Sequence, residues 1–236
     1  MVAIVRENVN VAEVVLGSGP FGVEEIRKLE LALLNGQCAE LRQAAGNLQS
    51  EILREEPSKS KLLCAGVVLF ILGDHANAEP ILARLSSDGI GSFYHGQVLE
   101  SLSRHAEAAK AYEQAAKQGF DPVTCLLHRA GAVRAAGNIP LAEELLKQAA
   151  STGGGTRAEY CYQMGCILAD HGDTYGAVEY FERAVDMNTN HQKALFWLAG
   201  INASRGNDEE AIRLYERALA RPPLHKGALI NLGLLY

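Results

Sequence analysis

The chain has 236 residues, with 28 acidic and 22 basic side chains and a net charge of -6. That mildly acidic balance gives no long-range attraction to phosphate backbones, and no apolar run approaches the length of a membrane span. Arg6 and Glu7 also interrupt the start before any signal-peptide core can form. Nucleic acid and membrane are therefore set aside as partners of this segment, and a cytoplasmic location is expected.

Residues 1–22 carry Gly17, Gly19 and Gly22 around Pro20, which reads as an N-terminal arm, extended or with one short helix followed by a turn. Residues 23–58 read as two amphipathic helices separated by Gly36. Ile26, Leu29 and Leu33 lie on the apolar face of the first, and Leu41, Leu48 and Ile52 on that of the second. This pair is expected to be a degenerate helical-hairpin cap.

From residue 59 a period takes over. With Ala78, Ala108, Ala142, Ala177 and Ala211 aligned, the same small, large and apolar residues recur at intervals of 30 to 35 residues. The best copies have apolar residues three and four apart, a Gly-Asn or Gly-Asp break at Gly206 and Gly172, and a second apolar face. Five helical hairpins follow, at 59–88, 89–122, 123–157, 158–191 and 192–225, with 226–236 matching the first helix of a further unit. A period of this length marks a stacked array in which no unit buries its apolar face without a neighbour.

Small residues fill one position of the first helices, at Gly66, Gly96, Ala130, Gly165, Ala199 and Gly233. They also fill a late position of the second helices, at Ala115, Ala149, Ala184 and Ala218. A large residue holds the middle of the second helix at Tyr112, Phe181 and Tyr215, with Leu82 and Leu146 standing in, and Pro223 takes the closing position. These residues closely resemble the tetratricopeptide repeat. The resemblance implies an all-α fold, a right-handed superhelical α-solenoid of antiparallel helix pairs.

Departures from the pattern carry expectations of their own. His95 and Arg129 stand where the family has leucine, so those repeats should pack loosely or turn polar groups toward a partner. Pro80 falls within an expected second helix, which should start late, after Asp74 or Asn77, whereas Pro140 follows a capping Asn138. The run from Ser151 to Thr156, with three glycines and one extra residue, reads as a flexible joint. The last helix spreads Ile230, Leu232, Leu234 and Leu235 around its circumference. That pattern implies a fragment of a longer protein or an end that meets another molecule, including self-association.

No reactive constellation is visible. GSGPFG, beginning at Gly17, lacks the lysine and hydroxyl of a phosphate loop, and no serine occupies a nucleophile elbow. Cys38, Cys64, Cys125, Cys161 and Cys166 are odd in number and scattered, which argues against disulfides and a zinc site and for buried structural thiols. Seven dispersed histidines include His128 and His171, which read as ligands or, more simply, as surface or helix-end residues. The expectation is no enzyme, no cofactor and no metal.

The family resemblance implies a concave surface lined by the first helices. The positions that usually face it carry Phe93, Tyr94, Gln97, Leu127, His128, Arg134, Tyr162, Gln163, Phe196, Trp197 and Asn231, with Phe93, Tyr162 and Phe196 fitting equally the seam between repeats. The clamp that holds the terminal carboxylate of heat-shock chaperones is absent, since its places hold Phe93, Gln97, His128, Glu159 and Gln163. An apolar protein or peptide segment fits such a surface better. The resulting reading is a noncatalytic interaction scaffold. A fainter resemblance, carried by Phe21, Gly22, Glu25, Ile26 and Leu29, is to bacterial proteins in which such repeats precede a module like the C-terminal domain of the RNA polymerase alpha subunit.

Overall fold

A computed structural model describes residues 8–54, 56–220 and 225–236, so Arg6, Glu7, Glu55 and the closing Pro223 lie outside the described residues. Among the described residues there are fourteen α-helices, two short 3-10 turns and no strand. Three helices come first: α1 (Val11–Leu16), α2 (Val23–Leu34) and α3 (Cys38–Arg54). Five hairpins follow, α4 (Lys59–Ile71) with α5 (His75–Leu82), α6 (Gly89–Ser101) with α7 (His105–Lys117), and α8 (Pro122–Ala135) with α9 (Ile139–Ser151). The last two pair α10 (Ala158–Asp170) with α11 (Thr174–Met187), and α12 (Gln192–Ser204) with α13 (Asp208–Leu219), before α14 (Lys226–Leu235). The hairpins stack as a right-handed α-solenoid, with α4, α6, α8, α10, α12 and α14 on its inner layer.

Three of the five hairpins close on the same kind of contact. A Cβ added at Gly96 would meet the Tyr112 ring at 2.6 Å, one at Gly165 the Phe181 ring at 2.6 Å, and one at Gly66 the Leu82 side chain at 2.5 Å. The small residue of the first helix thus receives the large residue sixteen positions later, because two helices approach closely only where a backbone is bare on one side. Ala78, Ala108, Ala142, Ala177 and Ala211 are fully buried at the same crossings, as are Ala115, Ala149, Ala184 and Ala218. Three clusters of buried apolar residues result. Half-buried Tyr94 joins the first to the second and Tyr160 the second to the third, so the core runs the length of the array.

Two expectations change on inspection, while two others hold in one of their stated forms: the arm carries a short helix followed by a turn, and the helix containing Pro80 starts directly after Asp74. The arm contains α1, capped by Asn10, whose Val11 and Val15 are buried against the following helices. Gln37 ties it down by accepting from Val9 N at 3.1 Å and donating to Val9 O at 2.9 Å. The glycine run is a packed turn rather than a flexible joint. Helix α9 extends to Ser151, and Gly154 is so close to Ala149 O and Val123 that a Cβ would sit 2.7 and 2.9 Å from them. Pro80 is accommodated inside α5, six residues into a helix that Asp74 caps, and the chain then tightens into a 3-10 turn at Ala83–Leu85. His95 and Arg129 are not left loose, since His95 lies 3.3 Å from Glu79 and Arg129 pairs with Glu113 at 3.0 Å.

One turn departs from the others. Between first and second helices the chain passes through left-handed backbone, at Gly137 with φ of 90° and Gly206 with 77°, but in the second repeat Ser103 takes that place with φ of 60°. A side chain there is strained by about 1 kcal/mol. Ser103→Gly should therefore raise stability by up to about 1 kcal/mol in urea unfolding, the gain being reduced by the larger entropy of the unfolded chain. Gly165→Leu should instead lower stability by about 1–3 kcal/mol through overpacking against Phe181. In the same measurement Gly233→Ala, with nothing within 4 Å of its added Cβ, should gain about 0.5–1 kcal/mol from helix propensity.

Candidate functional site: the concave groove

The inner layer lines an open groove of about 810 Å³ that draws on α2, α4, α6, α8 and α10 and on the starts of α5, α7, α12 and α14. Six of the eleven sequence-predicted residues line it: Tyr94, Gln97, His128, Arg134, Tyr162 and Gln163. The other five do not. Phe93 and Leu127 are buried in the seam, where Phe93 stacks on Phe120 at 4.3 Å, because one step along a helix turns a side chain by about 100° away from its neighbour. Trp197 stacks on Phe181 at 5.6 Å and Phe196 packs with a tilted ring against His225 at 4.4 Å, while Asn231 donates to the Tyr215 hydroxyl at 2.9 Å. These three are occupied holding repeats together.

With those aromatics withdrawn, charged and polar side chains gather at the centre of the groove. Glu159 of α10 accepts from Gln163 Nε2 at 2.7 Å and lies 3.2 Å from His191 Nε2. The His191 ring is oriented by its own helix: its Nδ1 accepts from Ala194 N at 3.2 Å as a cap of α12, which leaves Nε2 to carry the proton toward Glu159. His225 caps α14 in the same way through Ala228 N at 3.2 Å. Glu100 of α6 accepts from the Tyr112 hydroxyl at 2.5 Å.

Four repeats therefore meet in one electrostatic cluster. Burial by itself would raise the Glu159 carboxyl, but His128, His191 and Lys193 outweigh it and hold it below the usual carboxylate range. Glu100 first and Glu159 after it keep the Lys193 ammonium above its ordinary value despite burial. Burial lowers His128 in spite of the same two carboxylates, and lowers His75 with help from Lys226 at the far end of the groove.

Five side-chain atoms among the described residues are buried without a hydrogen-bond partner: His75 Nδ1, His105 Nδ1, His128 Nδ1, Arg134 Nε and Gln163 Oε1. Every one belongs to a residue that lines this groove. Buried polar atoms are nearly always satisfied, so their concentration here sets this surface apart from the rest of the described molecule.

Residues 94–156 and 162–225, more than half of the chain, match the sequence profile of the tetratricopeptide repeat. The chain belongs to the tetratricopeptide repeat family. Among curated proteins, these repeats are 33% identical over 78 residues to the photosystem I assembly protein Ycf3 of Prochlorococcus marinus, which covers 32% of this chain and 45% of that one. The chain thus spans about half the length of the curated relatives it first matches. Among solved structures, a chain of the APC/C hetero-tetramer Cut9-Hcn1 aligns with a TM-score of 0.66 at 16% identity, over 97% of this chain and 45% of that one. The C-terminal part of a repeat protein from Cytophaga hutchinsonii aligns with a TM-score of 0.50 at 17% identity, over 82% and 78%. At these identities the structural likeness concerns the fold alone.

Several groove residues escaped the sequence reading, including Glu100, His191, Lys193, His225 and Lys226. A periodic signal was present: His191 and His225 stand one repeat apart, as do His75 and His105, and five of the seven histidines line the groove. Elsewhere the molecule offers little chemistry. Among the described residues no group of three or more histidine, cysteine or acidic side chains is placed to hold a metal ion, and no helix is long and apolar enough to cross a membrane. Burial pushes the Cys64 and Cys125 thiols up to about 12 and Cys166 to about 11, so none is an available thiolate. Native protein treated with a thiol reagent at pH 7.5 should label half-buried Cys38 first, and the four buried cysteines at least about tenfold more slowly until unfolding exposes them. Fast labelling of Cys161 or Cys166 would contradict this.

Proposed function

We propose that the protein is a noncatalytic scaffold that holds a segment of a partner protein in the concave groove. The observation that carries this reading is the confinement of the five unpartnered buried polar atoms to groove residues, on a preformed surface whose backbone packing leaves it open. An extended chain supplies a donor and an acceptor at every residue and suits such a surface. The Prochlorococcus relative is a photosystem I assembly protein, which is work of the same broad kind and supports an assembly or docking task here without naming the partner. Nothing in the fold or in the relatives speaks for the transcription-linked alternative.

Ala135 ends α8, is exposed, and lines the groove, so a bulky side chain there obstructs the site without entering the core. Ala135→Trp should fold with stability within about 0.5 kcal/mol of wild type. It should lose at least about 90% of any partner retained by the wild-type chain in affinity capture from extracts of the source organism. Equal capture by the two proteins would place the interaction elsewhere on the molecule.

A further inference from the structure

The groove's own acids are already supplied with donors. Of the three that line it, Glu159 is held by Gln163 and His191, Glu100 by Tyr112, and Glu30 is engaged as well, so none calls for a cation from a ligand. The cations are compensated less directly: Glu100 and Glu159 act on Lys193 without ion-pair contact, and its ammonium lies 5.9 Å from the centroid of the Tyr162 ring. Among the described residues Lys193 and Lys226 have no carboxylate within the 4.0 Å of an ion pair, although both line the groove. Arg134 bonds Asp170 through one nitrogen at 2.9 Å but leaves Nε, a group that can only donate, buried without an acceptor. Gln163, only 3% exposed, keeps Oε1 without a donor, which a peptide N–H would satisfy.

From this imbalance we propose that the occupant is an extended acidic peptide segment, and that its binding is coupled to uptake of a proton by His128. The inference rests on the scaffold reading above. His128 sits on α8 at the centre of the cluster, with Nδ1 unpartnered. It is faced by Glu100 of α6, Tyr112 of α7, Glu159 of α10, and His191 and Lys193 of α12. In the empty groove burial disfavours its charged form. A ligand carboxylate near Lys193 adds negative charge beside the ring, so a proton taken from solvent is held more tightly in the complex than in the free protein. By linkage the affinity then rises as the pH falls.

The test uses the full chain and a displayed library of random twelve-residue peptides, selected at pH 6.5. Selected peptides should be enriched in Asp and Glu over the input. A fluorescein-labelled member should bind about threefold to tenfold more tightly at pH 6 than at pH 8, within the tenfold per pH unit that one proton allows. Lys193→Gln should weaken it about tenfold. His128→Gln should remove at least half of the pH dependence, with thermal unfolding confirming that each variant is folded. Enrichment in basic or apolar residues, or affinity independent of pH, overturns this inference while leaving the groove reading intact if Ala135→Trp still blocks binding. Selected peptides that bind Ala135→Trp as well as wild type sink the groove reading itself, and failure to recover any binder counts against both.

Discussion

The small residue of a first helix, pressed against the large residue sixteen positions later, is the contact on which the rest of this structure depends. Gly96 against Tyr112 and Gly165 against Phe181 bring two helix backbones close enough for Ala108 and Ala177 to be fully enclosed. The same closeness orients every hairpin alike, so that successive units stack with a constant offset and the first helices fall on one side. Because interiors are close-packed, enlarging the small residue would spread the hairpin and tilt every unit beyond it. The groove exists because these crossings are tight, although no crossing residue lines it.

The polar character of the groove has its origin in the same packing. Large aromatics on the first helices bury more area in the seam than they would on an open surface, and Phe93 and Trp197 accordingly stack on Phe120 and Phe181. That leaves the inward direction to Tyr94 and His128, each one step beyond a buried seam residue, and to Glu159 and Lys193 in the first turns of their helices. Each alone is an ordinary charged or polar residue half covered by its neighbours. Together, across four hairpins, they form a cluster in which Glu159 remains ionised inside a partly dry site because three nitrogen groups face it.

Much of the fold was legible before any coordinate, because the contacts that define it are local in sequence. A separation of sixteen residues within one hairpin lets Gly165 and Phe181 be read from a single copy of the repeat. The packed glycine turn at Gly154 was misread for the opposite reason. Composition there favours flexibility, but Val123 of the previous hairpin and Ala149 O leave no room for a side chain, so glycine serves close approach instead. The groove was half legible: Tyr94, Gln97, His128, Arg134, Tyr162 and Gln163 follow from repeat position, whereas Phe93, Leu127, Phe196, Trp197 and Asn231 occupy similar positions and face other ways.

The amino-acid sequence by itself determined the period, the hairpin, the position of each crossing and the absence of a recognisable reactive constellation. These depend on residues within one repeat length, and they recur often enough to be read. Only the tertiary structure decided which of two adjacent first-helix residues faces inward, that His191 directs its free nitrogen at Glu159, and that Lys226 and His75, from opposite ends of the array, share one groove. The reason is physical: a turn of about 100° separates neighbouring side chains on a helix. Its outcome is set by the accumulated twist and curvature of the whole stack, which no single repeat contains.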